Sequence, residues 1–276
     1  MKNKRLFQAS RRAALALLVV ATGLVGVAAQ AQTQDAVKAR GKVIIGIQGD
    51  NPPFGFIDSQ GKNDGYDADI GKLFGQELGV PVEFMVVTNQ NRIAQLQTGK
   101  VDVLFATLGM SAERAKALQY SKPYAANQMF LLGKKSAKLD KPETLKGVAV
   151  GVPKGSTQEN LIVKMAPDAD VRRFDDDSST IQALLSGQVE AVGANQFYIG
   201  RLNTQQPNVY ENKFPLATNY NGAGTRLGDK QWNATVNAFI DKVKANGKLN
   251  DAYKKWMGFA APEFASSLEG VPFSAQ

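Results

Sequence analysis

From Val43 onward, short apolar runs alternate with longer stretches whose apolar residues recur every three or four positions. The short runs suit buried strands and the longer stretches suit one-sided helices, because side chains repeat about every 2 residues along a strand and about every 3.6 along a helix. Val43 to Ile47 predicts a strand. Asp67 offers an N-cap to a helix that carries Ile70, Leu73, Phe74 and Leu78 on one face, and Gly79 ends it. Pro81 to Val87 reads as a second strand, Asn91 to Thr98 as a helix stopped by Gly99, and Val101 to Phe105 as a third strand. This strand-helix alternation implies a parallel sheet, since parallel neighbours need a crossover long enough to hold a helix.

The pattern then restarts. Val148 to Val152 predicts a strand, Thr157 to Met165 a helix, Val171 to Phe174 a strand, Thr180 to Leu185 a helix backed by Gly187, and Glu190 to Val192 a strand. Between the two units, Tyr124 to Gly133 holds Met129, Phe130, Leu131 and Leu132, which predicts an extended connection rather than a loose linker. A second crossing falls near Leu216 to Asn221. Helices over Trp232 to Ala245 and Asp251 to Met257 follow it and are expected to pack back on the first unit. Two α/β units joined by extended strands imply hinged lobes.

The first 31 residues stand outside this pattern. Lys2, Lys4, Arg5, Arg11 and Arg12 precede an apolar run from Ala13 to Ala29, which closes in Ala29-Gln30-Ala31. That is the layout of a cleaved signal peptide, and no Cys follows it to take a lipid, so a soluble periplasmic protein is expected. The pair Arg11-Arg12 leaves the twin-arginine and general export routes both open. Those five basic residues inflate the formal charge, and removing them takes it from +8 to +3, with 43% hydrophobic and 21% charged residues overall. The balance lacks the basic footprint of a nucleic-acid binder. With no Cys and no His, the chain has no disulfide, no thiol nucleophile, no histidine triad and no Cys/His zinc site. No cofactor or metal is expected.

Seven segments occur in an order that resembles the polar-amino-acid-binding proteins of ABC transporters, solute-binding family three. They are Pro52-Pro53-Phe54, Gly65-Tyr66-Asp67-Ala68-Asp69-Ile70, Leu96 to Asp102, Ser111 to Lys116, Lys154-Gly155-Ser156-Thr157, Gly187 to Val192 and Lys255-Trp256-Met257-Gly258. The resemblance implies a periplasmic-binding-protein type II fold: two α/β lobes joined by two hinge strands, with the ligand in the cleft. Lobe 1 is expected over residues 32–123 and 219–276, and lobe 2 over 124–218. It also implies a monomer with no chemistry of its own, delivering a small ligand to a permease in the inner membrane.

Arg114 is the first site candidate. A guanidinium matches a carboxylate with two parallel donors, and Ser111 can cap the turn that aims it. On its own the sequence favours a solvated helix arginine beside Glu113; the resemblance reverses this and implies a grip on a ligand α-carboxylate, completed by Thr107 and Gly109. Gly109 stands where the family often has Ser or Thr. On the other lobe, Ser156 and Thr157 sit between strand and helix, where backbone N–H groups attract an anion, although Ser156 also fits a plain N-cap. The lysine there precedes the second glycine, which is not the order of a phosphate loop. The resemblance places Asn195 where the family usually has an aspartate for the ligand ammonium, so charge is missing, and Asp175, Asp176 or Asp177 could supply it. Asn51 and Asn89 fall at the places of an aromatic sandwich, and Gln48 at a place that often opposes the ligand side chain. Phe54 is grouped with them. Arg92 resembles the arginine of acidic-amino-acid binders, while a first-turn helix residue can simply face solvent.

A polar amino acid, with an acidic one favoured, is the expected ligand. A small carboxylate lacking an amine is the alternative, motivated by Asn195. An enzyme on the same scaffold, dehydratase-like, would need a pocket carboxyl of raised pKa as its acid.

Overall fold

The computed structural model describes residues 33–275, so the expected signal peptide lies outside the described residues. The first unit runs α1 (Thr33–Arg40), β1 (Val43–Gln48), β2 (Asp50–Asn51), β3 (Gly55–Ile57), β4 (Asn63–Asp64), α2 (Tyr66–Leu78), β5 (Val82–Val87), α3 (Arg92–Gln97), β6 (Val103–Leu104) and α4 (Ala112–Ala115). β7 (Gln119–Lys134) leaves it for β8 (Ala149–Pro153), α5 (Thr157–Met165), β9 (Asp170–Phe174), α6 (Asp177–Leu185), β10 (Ala191–Asn195) and α7 (Tyr198–Gln205). β11 (Tyr210–Thr225) returns to α8 (Lys230–Ala245) and α9 (Lys248–Met257).

One eight-stranded sheet, in the order β5-β1-β6-β11-β7-β10-β8-β9, passes through both lobes. Its outer strands pair in parallel, as the βαβ reading requires: β1 with β5 and β6, and β8 with β9 and β10. The two centre strands β7 and β11 run antiparallel, from Lys134 beside Tyr210 to Gln119 beside Thr225. They are the two crossings that the sequence pattern shows, each extending well beyond the predicted segment. Asn127, Asn219 and Asn221 are buried between them, and Asn127 Oδ1 accepts from both Asn219 Nδ2 and Asn221 Nδ2 at 3.2 Å.

Separate cores fill the two lobes. Ile45, Ile70, Phe74, Phe105, Trp232, Phe239 and Tyr253 pack on one side, and Leu131, Val150, Val152, Ile162 and Ala191 on the other. The C-terminal helices join the first core, as expected. Trp232 packs 5.5 Å from Phe74 by ring centroids and donates its indole N–H to the Asp102 carbonyl at 2.9 Å. Trp256 donates to Asp69 at 2.7 Å, which ties α9 to α2.

Three expectations need correcting. Gly65, not Asp67, is the N-cap of α2; Asp67 lies inside the helix and is fully buried. The strand expected over Val101 to Phe105 pairs only at Val103 and Leu104. The sheet β2-β3-β4 and helices α1 and α7 were not anticipated, because strands of two or three residues and helices of eight residues with only two buried positions each leave too few apolar positions for a period to show.

Candidate functional site

The lobes meet through hydrogen bonds between side chains far apart in sequence. Ser111 caps α4 by accepting the Arg114 backbone N–H at 3.2 Å, so the arginine leaves the turn in a fixed direction. Its guanidinium is buried. Nη1 donates to the Gly109 carbonyl at 2.8 Å and to Thr157 Oγ1 at 3.0 Å, and Nη2 crosses to the Gly155 carbonyl at 2.8 Å. Arg114 is therefore not a solvated helix residue. Burial pulls its pKa below the ordinary guanidinium value, with nearby Tyr120 opposing the shift.

Gly109 lies at the closest approach of this contact. A Cβ there would collide with Thr157 Oγ1 and the Asn219 side-chain amide, which accounts for glycine where a hydroxyl residue was expected. Gly155 faces it from the other lobe with φ +71°, the left-handed region open to glycine, and a Cβ on it would lie 3.0 Å from Asn89 backbone oxygen. Ser156 caps α5 by accepting the Glu159 N–H at 3.0 Å, while Glu159 Oε2 accepts the Gly155 N–H at 2.7 Å. The plain cap reading of Ser156 thus holds in this arrangement, and the Gly155 N–H is already engaged by a carboxylate.

Thr107 differs from its expected role. It adopts φ +47°, and both its N–H and its hydroxyl donate to Asp67 Oδ2, at 3.0 and 3.1 Å, so the hydroxyl proton points at Asp67. Asp67 also accepts from Tyr124 at 2.8 Å; burial lifts its carboxyl to about 6 against these bonds. Phe54 is a second correction. It is fully buried in the lobe 1 core, edge-on to Tyr66 and to Phe197, because an aromatic ring at this turn fills core volume. Arg92 is fully buried and donates Nη1 to the Ala106 carbonyl at 2.8 Å, so it faces neither solvent nor a free opening; its Nε has no partner within the protein. Burial lowers its pKa to about 9, and the like charge of Arg114 adds to the fall.

The remaining polar candidates form one chain of amides. Asn195 Nδ2 donates to Asn51 Oδ1 at 3.0 Å, Asn51 Nδ2 to Gln48 Oε1 at 3.2 Å, and Gln48 Nε2 to Asp177 Oδ2 at 3.3 Å. Asn89 Nδ2 donates to the same Asp177 oxygen at 3.1 Å. The row of three acids is thereby resolved. Asp175 stands in solvent against Lys154, Asp176 is the capping-box residue of α6, and Asp177 turns inward and is buried. Desolvation pushes the Asp177 carboxyl up to about 7, Asp50 adds to the shift, and Arg201, the Asn89 bond and Arg92 oppose it.

Asp50 and Arg201 were missed from sequence. Asp50 Oδ2 accepts the Ser178 N–H at 2.9 Å, and Arg201 donates to the Asp50 carbonyl at 3.2 Å, which adds a third bridge between the lobes beside Arg114 and the amide chain. No local signal marks them, since the contact joins positions well over a hundred residues apart. Among the described residues, no group of three or more Asp or Glu could hold a metal ion. No helix among them is long and apolar enough to cross a membrane.

Residues 43–259 match the family model of the bacterial extracellular solute-binding proteins, family 3. The ABC transporter glutamine-binding protein of Bacillus subtilis is 30% identical over 230 residues, which cover 82% of this chain and 84% of that protein. Among solved structures, the solute receptor for L-cysteine of Neisseria gonorrhoeae superposes with a TM-score of 0.77 at 29% identity, covering 81% of this chain and 93% of the other. An ancestral arginine-binding protein bound to arginine gives a TM-score of 0.74 at 34% identity, over 79% of this chain and 99% of the other.

Proposed function

Because the chain belongs to the bacterial extracellular solute-binding proteins of family 3, we propose that it captures a polar amino acid between its lobes and presents it to an ABC transporter permease. The observation that carries the reading is Arg114: a buried guanidinium on lobe 1 whose three donor contacts include two on the Gly155–Thr157 turn of lobe 2. A carboxylate is the group that a planar fork of donors fits best, and the turn opposite begins a helix, whose N-terminus favours negative charge. A carboxylate inserted here would touch both lobes at once and so favour their closure.

The lobes are assigned as residues 32–123 with 219–276, and 124–218; the two cores support a division of this kind, with Tyr124 and Ala125 at the crossing packed in the first core. Residues 1–31 are assigned as the signal peptide and the periplasm as the working compartment. The protein acts as a monomer that docks on its permease in the inner membrane. For the ligand, relatives are named for glutamine, cysteine, arginine and glutamate, a range that supports a polar amino acid without favouring an acidic one; within this chain the acidic preference rests on Arg92. That support is weakened by the engagement of Arg92 with the Ala106 carbonyl. A carboxylate without an amine remains the second reading, because Asn195 offers an amide where an ammonium would be best met by charge.

The test is a thermal-shift screen on protein that has been unfolded, stripped and refolded, with amino acids and dicarboxylates as the panel. A ligand that binds only the native state raises the melting temperature. A polar amino acid is expected to give the largest rise; a dicarboxylate lacking an amine at the top would install the second reading, and leucine or phenylalanine at the top would overturn both.

A further inference from the structure

Asp177 is the one carboxylate at the end of the amide chain, and the chain has a direction. Asn195 donates to Asn51, Asn51 to Gln48, and Gln48 and Asn89 both to Asp177. The amide hydrogen bonds thus run toward the acid, and the two that reach it, from Gln48 and Asn89, both fall on one oxygen, Oδ2. The other oxygen, Oδ1, is buried and has no hydrogen-bond partner within the protein. A buried acceptor without a partner is destabilising, so a donor brought to it is favoured. The charged neighbours lie elsewhere: Arg92 donates to the Ala106 carbonyl, and Arg201 donates to the Asp50 carbonyl and to Ser178 Oγ at 3.3 Å.

We infer that Asp177 sets the specificity of the cleft, by receiving an N–H donor at the end of the ligand's side chain, a carboxamide or a cation, and rejecting a second carboxylate. The inference rests on the amino-acid reading of the cleft and adds to it the class of side chain. A side-chain carboxylate would bring like charge against Asp177. A carboxamide can donate its N–H to the unpartnered Asp177 oxygen, and a guanidinium suits Asp177 through a charge-assisted bond. Asp177 also sits on the first turn of α6, where the positive end of the helix favours negative charge and works against the burial that raises its carboxyl.

The alternative role is purely structural, in which Asp177 holds the lobes together through Gln48 and Asn89. The two roles separate in one measurement. The stripped and refolded chain and its Asp177→Asn variant are titrated by calorimetry with L-arginine, L-glutamine and L-glutamate. Asparagine is isosteric and keeps an acceptor for the wall amides. The expected result is that wild type prefers arginine or glutamine to glutamate, and that the variant lowers this preference ratio by at least tenfold, about 1.4 kcal/mol. A structural role would weaken all three ligands alike and leave the ratio unchanged, and any smaller change overturns the inference. Glutamate ranking first in wild type also overturns it, whatever the variant does and even if the variant does not fold. Binding of none of the three amino acids removes the reading of the cleft itself; binding with the wrong ranking removes only the role of Asp177.

Discussion

Arg114 and Asp177 show how burial converts ordinary surface residue types into recognition groups. Replacing Arg114 by alanine removes the fork that a carboxylate needs and takes the donor from the Gly155 carbonyl, while the Gly109 carbonyl keeps the Tyr120 hydroxyl at 2.8 Å; binding is expected to weaken by about 3 kcal/mol or more, over a hundredfold, with a smaller effect on the melting temperature of the ligand-free form. Calorimetry with the ligand returned by the screen measures it, and a loss within about threefold would place Arg114 outside the site. For Asn195→Asp the sign carries the information. The aspartate keeps the acceptor for the Phe197 N–H but loses the donor to Asn51; with an ammonium in the cleft, affinity should rise by roughly 1–3 kcal/mol, and with an amine-free carboxylate it should fall. Asp177 predicts a pH effect on the ligand-free protein. Its carboxyl is raised from 3.8 to about 7 in the folded state by burial, with Asp50 adding to the rise and Arg201, Asn89 and Arg92 opposing it. The unfolded chain therefore gives up its proton first, so the stability linked to this group is full below pH 3.8 and is lost as pH rises to about 7. Asp177→Asn should accordingly raise the melting temperature more at pH 8 than at pH 5, by roughly 2–4 °C per kcal/mol recovered, as a calorimetric scan at the two pH values would show.

At the scale of elements, the α/β alternation was readable because each helix and strand carries its own period, and glycine marks the ends. Gly79, Gly99 and Gly187 all take positive φ where the pattern stops. The site was readable only in part. Asp175, Asp176 and Asp177 are locally equivalent in sequence, and they separate only once the capping box takes Asp176 and the helix turns Asp177 inward. Contacts such as Asn195 with Asn51 and Asp50 with Ser178 span 144 and 128 positions and leave no trace in any window of sequence. Thr107 and Phe54 were misassigned for the same reason: their partners Asp67, Tyr66 and Phe197 are supplied by other elements. The β8–α5 turn offers a test at this scale. Gly155→Ala places a Cβ in the left-handed region and against the Asn89 backbone across the cleft, and should weaken binding by about 1–2 kcal/mol. Isothermal titration would reveal it, and an affinity equal to wild type would mean that the lobes do not approach this closely when loaded.

At the scale of the whole molecule, the lobes are parts of one sheet rather than beads on a tether. β7 and β11 remain paired from one lobe to the other, so opening must twist or bend this two-strand ribbon. Ligand binding is expected to lower the radius of gyration in small-angle scattering, and Arg114→Ala is expected to abolish that change at the same ligand concentration; an unchanged radius in wild type would argue against closure. The continuous ribbon has a mechanical consequence. Two separate connectors could bend independently and let the lobes wander in any direction, whereas a hydrogen-bonded ribbon resists splay and shear and yields chiefly to torsion. The jaws then travel on a single arc. Asn127 and Asn221, bonded within the ribbon, are then expected to move least and Lys154 and Asp175, off the ribbon on lobe 2, to move farther, so a distance probe on those two positions relative to lobe 1 would read the motion.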